Sequence, residues 1–413
     1  MDASTTIGTE RLVTLDALRG FAVMGILAMN IVAFAMPEMA YVTPLASMPQ
    51  HGADAANWLT AFVLVDGKMR GLFSLLFGAS MLLIATRAGD KGESASAVHY
   101  RRMFWLALFG LAHHYFIWFG DILFLYAVVG SVAFLAHRWE ARRLIKWALV
   151  VYALGTLVNF AMFGAMLFLE VGASAPGAPA EMVAAYRGMM ADPGMQIDGA
   201  ADMALYGGGY GAIVAHRLGE WYNPLVLVAQ AISETLPLMW LGMALFKTGF
   251  LTGALDSADY RRWAWRLVPA GLVLTLGVGL AVRALDYGVI ASLNSLFAWS
   301  MIPRLMLTIG YAALFVLATR ALAGSALLDR VAAAGQAAFT NYLGTSVVMT
   351  TIFYGYGLGL FGEVNRLLLW LFVIAMWAVM LAWSKPWLAR FRYGPLEWLW
   401  RSLARGSVQP MQR

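Results

Sequence analysis

Apolar stretches of about 20 residues recur along the whole chain and are separated by short polar segments. A helix of about 20 apolar residues is long enough to cross the ~30 Å hydrocarbon core of a membrane. The pattern therefore predicts an all-α polytopic membrane helix bundle of about ten transmembrane helices, forming one domain over residues 1–413. The predicted spans lie near residues 15–36, 58–86, 103–119, 121–136, 144–171, 224–246, 264–284, 297–319, 336–356 and 367–384.

Three segments are predicted to lie outside the bundle: a first periplasmic loop at 37–57, a large periplasmic loop at 172–223 and a cytoplasmic C-terminal tail at 385–413. A loop of roughly 50 residues is longer than most connections and is more often functional or disordered. Within it, Ala180–Met190 is predicted as a helix on the membrane surface, and Gly207–Gly211 as a flexible loop.

The positions of lysine and arginine predict the orientation of the bundle. With the N-terminus and the C-terminus both in the cytoplasm, all but seven of the 29 basic residues fall on the cytoplasmic side. This asymmetry follows the positive-inside rule, and an odd number of spans would destroy it. The seven exceptions are Lys68, Arg70, Arg187, Arg217, Arg283, Arg304 and Arg366.

Composition supports a membrane protein and excludes several classes of site. The chain is 61% hydrophobic and 13% charged, with a mean hydropathy of +0.69. Because it has no cysteine, disulfides, thiolate metal sites and cysteine nucleophiles are excluded. The net charge of +6 is explained by topology, so no nucleic-acid partner is expected. No metal or haem site is expected either. Because no signal-peptide cleavage site follows the first span, that span is expected to be retained.

Charged side chains inside spans are costly, and those that persist often pair or serve function. Asp16 and Arg19 are three residues apart at the start of the first span, so they share a helix face and can pair. One interpretation is a helix cap beside an arginine that reaches toward lipid headgroups. The other is a site that binds the phosphates of a cytosolic donor.

Two adjacent histidines, His113 and His114, lie within the third predicted span, and Asp121 follows at its outer end. Neutral imidazole can be buried and can accept a proton near neutral pH. Adjacent residues on a helix point about 100° apart, so both histidines are not expected to line one cavity. Either one of them is functional or both are packing residues. Asp121 is expected to cap the next span or to orient a histidine.

Asp66, Lys68 and Arg70 interrupt the second predicted span near the outer membrane face. They form either a local ion pair or the polar floor of an acceptor pocket, and Asp66 and Arg70 would meet if the segment is helical. His51, in the first outer loop, is placed to reach over such a pocket.

Later spans carry fewer polar groups. Glu234 and Arg304 have opposite charges in apolar surroundings and are predicted to pair between helices. Arg304 and Asn341 are counted with Asp66, Lys68 and Arg70 as candidate substrate-binding residues.

Four sequence stretches together resemble the YeiB family of bacterial inner-membrane proteins. They are Leu15–Ala22 (Leu-Asp-Ala-Leu-Arg-Gly-Phe-Ala), Leu72–Gly78, His113 with Gly120–Leu123, and Gly394–Arg401 (Gly-Pro-Leu-Glu-Trp-Leu-Trp-Arg), with support from Thr340–Leu343 and Gly209–Arg217. The opening stretch is also similar to the Leu-Asp-x-Leu-Arg-Gly start of membrane acyltransferases that modify sugars, and to the lysosomal enzyme that acetylates heparan glucosamine.

The resemblance implies a membrane acyltransferase that moves an acyl group from cytosolic acyl-CoA to a periplasmic or lipid-linked acceptor. It implies that Asp16 and Arg19 hold the donor, and that His113 or His51 acts as the catalytic histidine with Asp121 orienting it. His113 stands at the motif position, whereas His51 stands in the loop where the heparan enzyme has its histidine. The expected location is the bacterial inner membrane, with the lipid bilayer as a partner and a homodimer as a possible assembly.

Two further hypotheses remain open from the sequence. A transporter or exporter of a small amphiphilic molecule would use the same polar residues as a pathway. A non-catalytic assembly factor would tolerate the loss of His113 and Asp121.

Overall fold

The structure, a computed structural model, describes residues 9–46, 52–192 and 195–413, which contain no strand and only an isolated bridge between Phe391 and Gln412. The helices are α1 (Thr9–Ala35), α2 (Met39–Val42), α3 (Gly52–Leu64), α4 (Lys68–Asp90), α5 (Ala95–Phe116), α6 (Leu123–Ala133), α7 (Ala141–Ala173), α8 (Ala180–Met190), α9 (Ala200–Tyr206), α10 (Tyr210–Gly219), α11 (Asn223–Lys247), α12 (Ser257–Ala284), α13 (Val289–Asn294), α14 (Met301–Ala321), α15 (Ala326–Gln336), α16 (Ala338–Phe353), α17 (Arg366–Arg390) and α18 (Pro395–Arg405). The prediction of an all-α bundle is confirmed.

Seven segments of the described chain are helical, long and apolar enough to cross a membrane. Each coincides with one of the ten predicted spans, and together they make the chain a polytopic membrane protein. The seven are Val13–Ala35, Asp54–Asp90, Ala141–Ala173, Asn223–Lys247, Ser257–Ala284, Met301–Ala321 and Arg366–Arg390. The other three predicted spans correspond to α5, to α6 with the 3₁₀ turn Phe134–Ala136, and to α16, which are shorter or more polar.

Contacts between loops define two ends of the bundle. At one end, which we call the basic end, Lys247 donates a hydrogen bond to the carbonyl of His137 (3.0 Å), Arg320 to that of Gly253 (2.8 Å) and Trp400 to that of Arg102 (3.0 Å). Lys247 and Arg320 lie in the last turns of α11 and α14, and the segments at this end carry most of the arginines.

At the opposite end, which we call the cavity end, the loop after α1 meets the loops before α10 and α17. The amide of Gly362 donates to the carbonyl of Ala35, that of Gly355 to Tyr206, and the hydroxyl of Tyr210 to Phe116, at 2.8 to 2.9 Å. The predicted 172–223 loop is thus built from α8, α9 and α10. Gly207–Gly211 is not a flexible loop: α10 begins at Tyr210, and the backbone of Gly207 packs against Gly355.

The break in the second predicted span is confirmed at residues 65–67, between α3 and α4. Gly67 adopts a left-handed conformation (φ 71°), which a residue with a side chain rarely adopts. Further along α4, Gly78 packs on the backbone of Met239, and Gly242 of α11 packs on the backbone of Leu75. Such small residues let two membrane helices approach closely, and this contact fixes α4 and α11 around the cavity described next.

Candidate functional site

A cavity of about 490 Å³ opens at the cavity end, between α1, α4, the α5–α6 connection, α10, α11 and the start of α14. This volume lies in the range of small-molecule sites. Its polar wall is formed by Asn30, Glu38, Tyr41, Asp66, Arg70, His114, Asp121, Asn159, Tyr206, His216, Arg217, Glu220, Asn223, Gln230, Ser233, Glu234 and Arg304. Its apolar wall includes Met29, Ala33, Trp118, Phe119, Val226, Leu227, Leu296, Phe297 and Met301.

A buried ion triad forms the floor of the cavity. One carboxylate oxygen of Glu234 (Oε2) accepts hydrogen bonds from Arg70 at 2.5 Å and from Arg304 at 3.1 Å, joining α4, α11 and α14. The predicted pair between Glu234 and Arg304 is therefore present. The other oxygen, Oε1, has no hydrogen-bond partner within the described residues, and neither has Nε of Arg304. Buried polar atoms are normally satisfied, so these two atoms suit a bound water or ligand.

A π-helical turn at Ser295–Trp299 positions the second hydrogen bond of Arg304. The amide of Ser300 reaches back five residues to the carbonyl of Ser295, and the carbonyl of Leu296 accepts from Arg304 Nη2 at 2.6 Å. Single π turns are frequent at functional sites because they free a backbone group and re-aim nearby side chains. Here Leu296 and Phe297 are turned into the cavity wall.

Asp66 and Arg70 do not meet, because the segment is not one continuous helix, which was the condition for their predicted contact. Because the chain turns at Gly67, Asp66 precedes α4 and accepts a hydrogen bond from the hydroxyl of Tyr41, whereas Arg70 pairs with Glu234. Asp66, Arg70 and Arg304 all line the cavity. Lys68 is buried instead against α3, where it donates to the carbonyl of Phe62.

Asn341 lies away from the cavity and joins three helices. Its amide nitrogen donates to the carbonyl of Ala334 at 3.0 Å, and its oxygen accepts from the indole of Trp383 at 2.9 Å. The structure thus gives Asn341 a packing role and does not support its assignment to a substrate site. His51 lies outside the described residues.

The two adjacent histidines have different surroundings, as their 100° separation predicts. His113 is 1% exposed and shares a 2.8 Å hydrogen bond between Nδ1 and Asp121 Oδ1, while Asp121 Oδ2 accepts from the amide of Phe124. Asp121 thus contacts a histidine of α5 and also caps α6, two roles that the sequence left as alternatives. Nε2 of His113 has no partner within the described chain and is enclosed by protein beside Trp118 and Tyr342.

His114 is the histidine that lines the cavity. Its Nδ1 lies 2.8 Å from the carbonyl oxygen of Phe119. Since a carbonyl only accepts hydrogen bonds, Nδ1 carries the hydrogen and the neutral ring keeps its lone pair on Nε2. The sequence placed His113 and His114 together but did not show which of them reaches the cavity, because that depends on how the α5–α6 connection folds back.

Arg217 and Glu38 are cavity residues that the sequence analysis left without a role. Arg217 is 3% exposed, and its guanidinium lies between the rings of Tyr206 and Tyr354 at 5.9 and 5.8 Å. The side chain of Glu38 lines the cavity and stays partly open to solvent. Burial of its remaining surface, helped by the nearby carboxylate of Asp202, raises the pKa of Glu38 to about 7. In the sequence, Arg217 stands out only as one of the few basic residues outside the predicted cytoplasmic segments.

At the basic end, Asp16 and Arg19 form the predicted pair at 2.7 Å, and Arg19 also donates to the hydroxyl of Ser80 at 2.8 Å. Arg102 and Arg401 lie within electrostatic range of Arg19. Both are held by aromatic rings, Arg102 over Trp400 at 4.0 Å and Arg401 over Tyr393 at 4.5 Å. Neither arginine forms a salt bridge within the described chain, although the Glu397 carboxylate lies within electrostatic range of Arg401.

Comparison with known proteins places the chain in one family of uncharacterised proteins. Residues 245–407 match the family model described as "Protein of unknown function (DUF418)". Over 417 residues the chain is 32% identical to the uncharacterized protein YxaH of Bacillus subtilis (strain 168), covering 99% of this chain and 98% of the relative. It is also 32% identical over 416 residues to the uncharacterized protein YeiB of Escherichia coli (strain K12), covering 97% and 98%. No solved structure matches. With a third of its residues shared over the full length of both relatives, the chain belongs to the YeiB family of uncharacterised proteins.

Proposed function

We propose that the protein is an acyltransferase of the bacterial inner membrane, with both termini in the cytoplasm, that passes an acyl group from cytosolic acyl-CoA to an acceptor in the outer cavity. The observation that carries the proposal is the placement of His114. His114 lines a charged cavity of substrate size, and its Nδ1 is held by the carbonyl of Phe119, which leaves the lone pair of the neutral ring on Nε2. A neutral imidazole held in this tautomer is suited to act as a general base.

The donor side is the group of arginines at the basic end. Arg19 is held in place by Asp16 and Ser80, and Arg102 and Arg401 add two further guanidinium groups that form no salt bridge with a described residue. Arginine binds phosphate groups with two parallel hydrogen bonds. The three phosphates of acyl-CoA suit such a cluster.

The two sides are linked along α1. Arg19 and the cavity residue Asn30 are eleven residues apart on this helix, which corresponds to roughly 16 Å. The flexible pantetheine arm of acyl-CoA is long enough to bridge such a separation. The acyl group can thus reach the cavity while the nucleotide stays at the basic end.

In the proposed reaction, the acceptor hydroxyl oxygen attacks the thioester carbon and the C–S bond breaks. Nε2 of His114 takes the hydroxyl proton and returns it to the leaving CoA thiolate, so that an ester and free CoA are formed. Arg70 and Arg304 place positive charge at the cavity floor, where negative charge on the attacked carbonyl oxygen would be stabilised. The hydrogen bond between His113 and Asp121 stabilises the α5–α6 connection and thereby positions His114.

The test is release of CoA from acetyl-CoA by the purified protein, with water as acceptor. Because the chain has no cysteine, a thiol reagent reports only the CoA that is released. The wild type is expected to bind acetyl-CoA and release CoA slowly. If acetyl-CoA does not bind at millimolar concentration, the acyltransferase proposal fails. Movement of an unmodified amphiphile across proteoliposomes would support the transporter hypothesis instead.

A further inference from the structure

Arg217 is a buried charge that forms no salt bridge within the described residues. Its Nε and Nη2 atoms are enclosed by protein and have no hydrogen-bond partner within the described residues. The hydroxyl of Tyr354 approaches the guanidinium without reaching hydrogen-bond geometry and is itself unpartnered. Enclosing a charge in this way costs several kcal/mol unless something pairs with it. Because Arg217 also lines the cavity, we expect an anion from outside the chain to pair with its guanidinium.

The acidic side chains of the same cavity form their hydrogen bonds with other residues, although the Glu38 carboxylate lies within electrostatic range of Arg217. Glu38 accepts a hydrogen bond from Tyr206 at 3.2 Å. Glu220 accepts from Asn223 at 2.6 Å and lies 3.7 Å from His216. Neither carboxylate forms an ion pair with Arg217 within the described chain, although both line the same cavity. The site is therefore not closed by an internal salt bridge.

Part of the cavity wall is apolar, on α11 and the π turn, next to the polar α11 residues Asn223, Gln230, Ser233 and Glu234. Val226, Leu227, Leu296 and Phe297 form this wall, and Met29 and Ala33 of α1 extend it. A ligand that places an anionic group on Arg217 can lay an apolar portion against this patch, while the polar wall faces its remaining polar groups. The wall as a whole suits a molecule with one charged end and one apolar end.

We propose that this cavity binds a small amphiphile through an oxyanion, a phosphate ester or a carboxylate, which is held by Arg217. The proposal rests on the proposed function in one respect: the amphiphile would be the acyl acceptor. Arg217 binds and positions the anionic end, and the free hydroxyl that receives the acyl group lies toward His114. Binding itself does not require acyl transfer, so the two proposals are tested separately.

The binding test uses hexyl phosphate as probe and the uncharged hexanol as its matched partner, with the purified protein in lipid-free detergent. Wild-type protein is expected to bind hexyl phosphate at least about tenfold more tightly than hexanol, as expected for charge-assisted hydrogen bonds. Arg217→Gln is expected to lose this difference. Arg187→Gln, at an exposed arginine of α8 outside the cavity, is the control and is expected to keep it.

Equal affinity of wild-type protein for hexanol and hexyl phosphate overturns the proposal, and this outcome does not depend on any variant. Unchanged binding of hexyl phosphate by a folded Arg217→Gln protein also overturns it. Repeating the titration in nanodiscs that contain phosphatidylglycerol identifies the source of the anion. Weaker binding there assigns the site to a lipid headgroup, and unchanged binding assigns it to a soluble phosphate or carboxylate. If acetyl-CoA turnover fails while these binding results hold, only the acyltransferase proposal is lost.

Discussion

Glu397 on α18 caps the first turn of α16, through Thr340 and its neighbour Phe339. The carboxylate accepts the amide of Thr340 at 3.1 Å and its hydroxyl at 2.6 Å, and also the amide of Phe339 at 2.7 Å. Glu397 is 9% exposed. Two stretches that carry the family resemblance, Thr340–Leu343 and Gly394–Arg401, are thus partners in one contact that ties the C-terminal segment to the bundle.

Glu397→Ala is expected to destabilise the protein by roughly 1–3 kcal/mol, because three donors at the start of α16 lose a charged acceptor. The measurement is the melting temperature in detergent, followed by circular dichroism. Glu93→Ala, at an exposed position in the turn before α5, is the control. Equal melting of both variants and the wild type would show that the cap contributes nothing.

Glu234→Gln is expected to be strongly destabilising, by about 3–5 kcal/mol, because it leaves Arg70 and Arg304 close together without their shared carboxylate. Asp259→Asn breaks the exposed pair with Arg262 and is expected to change stability by at most about 1 kcal/mol. Thermal unfolding of both variants tests the comparison. A Glu234→Gln protein as stable as the wild type would mean that the triad does not hold α4, α11 and α14 together.

The two histidines offer a matched pair of substitutions. Asparagine keeps a side-chain N–H near the position of Nδ1 but removes Nε2, so His114→Asn can still donate to Phe119 and His113→Asn to Asp121. We expect His114→Asn to slow CoA release by about 100-fold or more while acetyl-CoA still binds. His113→Asn is expected to retain most of the activity of the folded protein. The reverse pattern would assign the base to His113.

Arg19→Ala is expected to weaken acetyl-CoA binding by about tenfold or more, because it removes a guanidinium held for phosphate contact. The control is Arg262→Ala at the basic end, where the arginine is exposed and paired only with Asp259. Isothermal titration with acetyl-CoA gives both affinities. Equal loss in the two variants would indicate a general charge effect, and no loss in Arg19→Ala would remove Arg19 from the donor site.

Glu38 is expected to make stability depend on pH. Burial and the Asp202 carboxylate raise its pKa to about 7 in the folded state, above the ordinary value of 4.5, so the folded protein binds the proton more tightly. The stabilisation is complete below pH 4.5 and is lost as the pH rises to about 7. Because part of the side chain is open to solvent, the effect is expected to be modest.

The corresponding measurement is the melting temperature across this pH range. It should fall with rising pH in the wild type, and Glu38→Gln should make the decline shallower. Glu363→Gln, at an exposed position of the same end, should leave the wild-type decline unchanged. An identical decline in the Glu38 variant would show that another group titrates.

Much of this architecture follows from the sequence alone. Apolar runs of membrane-spanning length fixed the positions of the helices, since each must satisfy its own backbone in hydrocarbon. The helix Ala180–Met190 lies at the predicted residues. The break in the second span, predicted at 66–70, lies at 65–67, so Lys68 and Arg70 already belong to α4. Short-range pairing on one helix predicted the Asp16 and Arg19 contact, because residues three apart share a face.

Only the tertiary structure decided which polar groups share a cavity. The turn at Gly67 sends Arg70 to Glu234 and leaves Asp66 to Tyr41, and no helical spacing reveals this. The fold of the α5–α6 connection buries His113 and turns His114 toward the cavity, and the folded 172–223 segment places Arg217 over it. Contacts between residues far apart in the chain depend on how helices are arranged around one another, which hydrophobic periodicity does not encode.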